Sequence, residues 1–163
     1  MMYDFSADEV FQMAIRIEES GAAFYRKAAS LQSDASSRTF LQKLATMEDH
    51  HRATFEKMRK RLADMEKQKT VFDPEGELGL YLQSMADRHG GEGSPVAADA
   101  LTGDETLDEI ITTAIGLEKE SILFYVGLKD MVPAGYGKDK IEEIIREEQR
   151  HIVQLNAFLR ELK

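Results

Sequence analysis

Apolar residues recur along this chain at alternating steps of three and four, the spacing that gathers them on one face of an α-helix. Ala7, Phe11, Ala14, Gly21, Tyr25 and Ala28 form one such stripe and predict a first helix from about Ala7 to Ser30. Leu41, Leu44, Phe55, Met58, Leu62 and Met65 predict a second, from about Asp34 to Lys67. Leu107, Ile111, Ala114, Ser121, Tyr125 and Leu128 predict a third, from Leu107 to Asp130. Ile141, Ile144, Leu155, Phe158 and Leu162 predict a fourth, from Asp139 to Leu162. Ser6 with Glu9, and Thr106 with Glu109, each read as a capping box, in which hydroxyl and carboxylate satisfy amide donors that a helix start leaves open.

The connections decide how these helices are joined. Gln32 to Ser37 is short and polar, so the second helix is expected to fold back antiparallel on the first. Pro133, Gly135 and Gly137 make a turn between the third and fourth. From Gln68 to Glu105 the composition changes: Asp73-Pro74, Gly76, the run from His89 to Pro95 and Gly103 mark irregular chain, interrupted by a short helix around Glu77 to Asp87. A tight turn needs only a few residues, whereas this stretch is long enough to run back along a bundle. The expected fold is therefore all-α: one domain over 1–163, a four-helix bundle of two antiparallel pairs with a long crossover between the second and third helices.

Each apolar stripe is broken at mid-height by residues that do not belong in a greasy seam: Glu18 in the first, Glu48 and His51 in the second, Glu118 in the third, Glu148 and His151 in the fourth. A Glu and a His three apart share a helix face, so both can reach one ion. The phrases Glu48-Asp49-His50-His51 and Glu148-Gln149-Arg150-His151 stand a hundred residues apart. The same shift superposes Ala14-Ile15 on Ala114-Ile115, Glu18 on Glu118, and Phe24-Tyr25 on Phe124-Tyr125. This repeat selects among neighbours. Glu19 meets Lys119, which leaves Glu18 and Glu118 as the shared acids; Glu147 lies four before His151, but only Glu148 matches Glu48; His50 faces away from the seam and meets Arg150.

Four inward carboxylates and two imidazoles predict two dipositive ions, because the assembled charge is then zero, while an unpaired charge in a low-dielectric interior is costly. Without metal the carboxylates would repel one another and their pKa values should rise. Oxygen-rich ligands with one imidazole per ion suit iron, or manganese, better than thiolate-seeking metals. Glu48 and Glu148 are the natural bridges. Gly21 and Ser121 are small and leave room near the ions for dioxygen, peroxide or water. Tyr25 and Tyr125, two turns on from Glu18 and Glu118, are expected to be core residues that hydrogen-bond groups around the site. His89 reads as a solvated loop residue and the methionines as core filler. The plain alternative is a metal-free structural bundle held by interhelical Glu–His pairs.

Composition narrows the partners. Among 163 residues, 21 Lys and Arg face 30 Asp and Glu, for a net charge of −9, which disfavours nucleic acid and anionic membranes. There is no cysteine, which excludes disulfides, thiolate zinc sites and iron–sulfur clusters. Met1 to Ser20 does not read as a signal peptide, and no apolar run approaches the roughly 20 residues of a spanning helix. A cytoplasmic protein is expected.

Glu from two helices and Glu-x-x-His from the other two is a ligand set in which this sequence resembles the ferritin-like proteins, and within them the rubrerythrin-like branch. The resemblance covers the four helices and not the crossover. It implies that Glu18, Glu48, His51, Glu118, Glu148 and His151 hold two iron ions, with Tyr25 in the place of a tyrosine familiar from the branch. It further implies reduction of hydrogen peroxide or dioxygen with electrons from an external donor, and a homodimer; iron storage through Fe(II) oxidation is the alternative. Two features depart from the branch: Ser121 stands where rubrerythrins usually carry a second Glu, and the Cys-rich rubredoxin domain they usually append has no counterpart in this chain.

Overall fold

The computed structural model describes residues 7–63, 96–132, 135 and 137–162, with positions 77, 80, 81 and 84 between them. Its helices are α1 (Ala7–Leu31), α2 (Ala35–Ala63), α3 (Val96–Asp99), α4 (Leu107–Met131) and α5 (Lys138–Glu161). The four long ones match the four apolar stripes. Where the chain turns, local chemistry sets the limit. The Asp34 carboxylate accepts from the Ser37 amide at 2.7 Å and from its hydroxyl at 2.8 Å, which starts α2 with only three residues between it and α1. Thr106 and Glu109 form the expected capping box at the start of α4. Its expected counterpart at Ser6 lies outside the described residues. Gly135 and Gly137 both have positive φ, 86° and 106°, a backbone that disfavours any side chain, and they bend the chain into α5.

Two apolar clusters give the helix directions. One gathers Phe11, Ala14 and Ile17 of α1, Phe55, Met58 and Leu62 of α2, Phe124, Tyr125 and Leu128 of α4, and Ile141, Ile144 and Ile145 of α5. The other gathers Phe24, Tyr25 and Ala28, then Leu41, Leu44 and Ala45, then Ile110, Ile111 and Ala114, with Leu155. The first cluster thus holds the N-terminal halves of α1 and α5 and the C-terminal halves of α2 and α4. It follows that α1 and α2 are antiparallel, as are α4 and α5, and that the end of α2 and the start of α4 lie at opposite ends of the bundle. The chain between them has to travel the bundle's length, which is the crossover expected from its composition.

Three details refine that expectation. Val96–Asp99 forms a single helical turn where irregular chain was expected; Ala98 and Leu101 are buried on the second cluster, so local apolar contact orders this piece. Positions 77, 80, 81 and 84 are helical, within the short helix expected from Glu77 to Asp87, and the Tyr81 hydroxyl donates to the Leu123 carbonyl at 2.7 Å. Leu162 is 44% exposed, because α5 ends at Glu161 and the stripe is last used at Phe158. The Gly-rich run, His89 and Met65 lie outside the described residues.

The hundred-residue repeat acquires a geometric meaning from these clusters. Phe11 is in one and Ile111 in the other, and the same exchange relates Leu41 to Ile141, Phe55 to Leu155 and Tyr25 to Tyr125. The repeat therefore swaps the two ends of the bundle, as a two-fold axis across its middle would do. What lies on that axis is the polar layer. Each large apolar side chain in the clusters contributes on the order of 2 kcal/mol on burial, and together they offset the cost of desolvating a few ionisable groups. No helix among the described residues is long and apolar enough to cross a membrane.

Candidate metal centre

Between the two clusters, Glu18, Glu48, His51, Glu118, Glu148 and His151 are all buried, none more than 4% exposed. Helical periodicity alone put them on the inward faces, and the crossing of four helices brings them into one layer. Their donor atoms fall into two groups, each lying within 4.8 Å: Glu18, Glu48, His51 and Glu148 in one, Glu48, Glu118, Glu148 and His151 in the other. Glu48 and Glu148 belong to both.

The imidazoles face the carboxylates through Nδ1. His51 Nδ1 lies 2.8 Å from Glu148 and 3.4 Å from both Glu18 and Glu48. His151 Nδ1 lies 2.9 Å from Glu148, 3.3 Å from Glu118 and 3.5 Å from Glu48. The rings are nearly parallel, with centroids 5.7 Å apart. These distances are short, yet neither Nδ1 makes a directed hydrogen bond, and Glu48 Oε1 and both Glu148 oxygens are likewise buried without one among the described residues. A layer of converging donor atoms that do not satisfy one another is what two shared cations would complete, so the residues fit a dinuclear site.

Charge supports the same fit. Burial, reinforced by the Glu48 charge at Glu18 and by the Glu148 charge at Glu118, raises both of those carboxyls well above the usual carboxylate range. Burial acts upward on Glu48 and Glu148 too, but the close approach of the two imidazoles outweighs it, and both lie below that range. The general rise expected for all four acids is therefore found at Glu18 and Glu118 and reversed at Glu48 and Glu148. Burial alone would deprotonate His51 and His151; the surrounding carboxylates overcome it and raise both. The directions favour protons on Glu18, Glu118, His51 and His151 and charge on Glu48 and Glu148, a distribution that sums to zero. Two divalent ions would neutralise it as well, with all four acids ionised and both imidazoles neutral.

The tyrosines are closer to the layer than their helical offset suggests. The Tyr25 hydroxyl donates to Glu118 and the Tyr125 hydroxyl to Glu18, each crossing to the opposite helix of the α1–α4 pair. Burial and the Glu118 charge raise the Tyr25 pKa well above its usual value, so it remains a donor at neutral pH. Gly21 packs directly on Glu48; a Cβ there would stand 3.5 Å from its Cγ, leaving space for a methyl group and little more. Ser121 is half-buried and His50 exposed.

One residue set aside by the repeat is brought to the site by the fold. Glu147 Oε2 lies 2.6 Å from His51 Nε2. A carboxylate can only accept, so Nε2 carries the proton and Nδ1 is the atom left to face the ligand cluster. No sequence signal marked this contact, because the partners stand on different helices and the repeat places Met47 opposite Glu147.

No protein-family model matches the chain, and no curated protein matches it. A solved structure does: a protein of Thermotoga maritima described as a ferritin-like diiron-carboxylate protein, 24% identical, with each chain covered over 100% of its length and a TM-score of 0.68. Four long helices in two antiparallel pairs, a crossover along the bundle and this whole-chain superposition establish that the chain has the ferritin-like fold.

Proposed function

We propose that this chain is a dinuclear non-haem metal protein, with iron as its metal and manganese as the alternative. In it Glu18, Glu48 and His51 hold one ion, Glu118, Glu48 and His151 hold the other, and Glu148 serves both. The observation that carries the reading is the pair of buried ligand groups sharing Glu48 and Glu148. The diiron-carboxylate description of the Thermotoga protein supports iron. The redox role we assign is reduction of hydrogen peroxide or dioxygen with electrons from an external donor, since the chain has no cysteine with which to build a second electron-carrying centre.

Bound iron would supply redox equivalents and Lewis acidity. The protein's part is to hold the ligands and move protons. Tyr25 and Tyr125 fix one oxygen each of Glu118 and Glu18; at Glu18 the other oxygen faces His51, whereas at Glu118 the oxygen that accepts from Tyr25 is also the one 3.3 Å from His151 Nδ1. Glu48 and Glu148, flanked by both imidazoles, are placed to span two ions. The buried apolar clusters close the layer off from the two ends of the bundle.

Anaerobic purification with metal analysis, followed by stopped-flow oxidation of the Fe(II)-loaded protein, tests this. Two iron ions per chain and faster oxidation by peroxide than by dioxygen are expected. Faster oxidation by dioxygen with accumulation of ferric mineral would favour storage instead. A protein that takes up neither Fe(II) nor Mn(II) and whose melting temperature ignores both would be a structural bundle.

A further inference from the structure

The two halves repeat in sequence but differ around their imidazoles. His51 Nε2 is held by Glu147, whose side chain is 39% exposed, and both line a cleft of about 550 Å³ between α2 and α5 together with Met58, Glu143 and the cationic side chains of Lys57, Arg61 and Lys140, of which Lys140 pairs with Glu143. With about 30 Å³ per water, that space admits a hydrated ion with room to spare. His151 is fully buried, and its Nε2 has no hydrogen-bond partner among the described residues. The repeat places Phe40 opposite Lys140 and Phe158 opposite Met58. Those two rings stack at 4.8 Å with 20° between their planes, so at the other end of the same helix pair an aromatic plug stands where the cleft would be.

We propose that the half-site served by His51 exchanges its ion with solvent through the α2–α5 cleft, with Glu147 as the positioning residue for His51, while the His151 half is sealed behind Phe40 and Phe158. This rests on the dinuclear reading. Glu147 fixes the imidazole with Nδ1 inward and places a partly exposed carboxylate in the cleft, on the solvent side of His51, whose other nitrogen lies 2.8 Å from Glu148. Among the described residues the His151 half has no such carboxylate, so its ion arrives and leaves by way of the shared acids.

Release of Co(II) from the loaded protein into excess chelator, followed by stopped-flow absorbance, tests the assignment. Two phases of equal amplitude are expected, but shared Glu48 and Glu148 could produce two phases by themselves, so the variants decide. Lys140→Phe combined with Met58→Phe, which recreates both rings of the plug, should slow the fast phase; Phe40→Lys, which opens the other end, should speed the slow one. Glu147→Gln should weaken one of the two Co(II) ions about tenfold, as loss of a carboxylate behind a ligating histidine does, with partial rescue by Glu147→Asp and an unchanged melting temperature. Equal effects of Glu147→Gln on both ions, or rates insensitive to both plug variants, would overturn the inequivalence while leaving the dinuclear reading intact. Failure to retain Co(II) at all would instead overturn the dinuclear reading, and this inference with it.

Discussion

At the scale of single residues, the site is defined by what a buried carboxylate or imidazole needs. Glu148 and His51 have no solvent to turn to, so Glu148→Ala and His51→Ala should each weaken metal binding by about tenfold or more, a loss at least as large as that for a group behind the ligands. Helix content by circular dichroism should stay nearly intact, and full occupancy of both variants under limiting metal would show that other atoms hold the ions. Protonation gives a second test. Glu18, Glu118, His51 and His151 all have raised pKa values, so each holds its proton more tightly than usual and an arriving ion must compete with it. Affinity should therefore fall as pH falls, with up to four protons released per pair of ions; calorimetry in buffers of different ionisation enthalpy counts them, and a pH-independent affinity would contradict the charge balance. Tyr125→Phe removes the donor to Glu18 and should cost about 1–3 kcal/mol of stability in urea unfolding of the metal-loaded protein. The six inward residues were legible because the repeat and the helical period point to the same positions. Glu147 was not, because its role comes from a neighbour on another helix.

At the scale of the element, stripe, cap and turn agree on where each helix runs, and the structure moves the predicted ends by one residue or leaves them unchanged wherever the chain is described and the helix terminus is well marked. Thr106 and Glu109 illustrate the local rule: their reciprocal bonds depend on four consecutive residues and nothing else. Thr106→Ala should therefore cost about 1 kcal/mol in chemical unfolding without altering metal stoichiometry. A change in stoichiometry would mean that the start of α4 is coupled to the layer. The single turn of α3 was not legible, since four residues carry no periodicity, and only the groove it packs into makes it helical.

For the whole molecule, the polar layer is where buried charge opposes folding and where a ligand can offset that cost. Two apolar clusters flank it, and metal that binds the folded state and not the unfolded chain should stabilise the protein by about 2.7 kcal/mol at a free concentration one hundred times the dissociation constant. A melting temperature that rises with added Fe(II) or Mn(II), and returns on chelation, is the expected outcome; no change would remove the ion from the folding balance. The sequence by itself determined the four helices, their inward faces and the six residues at mid-height, because a 3.6-residue period and a repeat are properties of position along the chain. Only the tertiary structure decided that the repeat swaps the bundle's ends, that each tyrosine reaches the opposite helix's glutamate, and that one imidazole borders a cleft and a carboxylate while its twin is fully buried. Those depend on distances between residues far apart in sequence, which helix packing sets and no local pattern records.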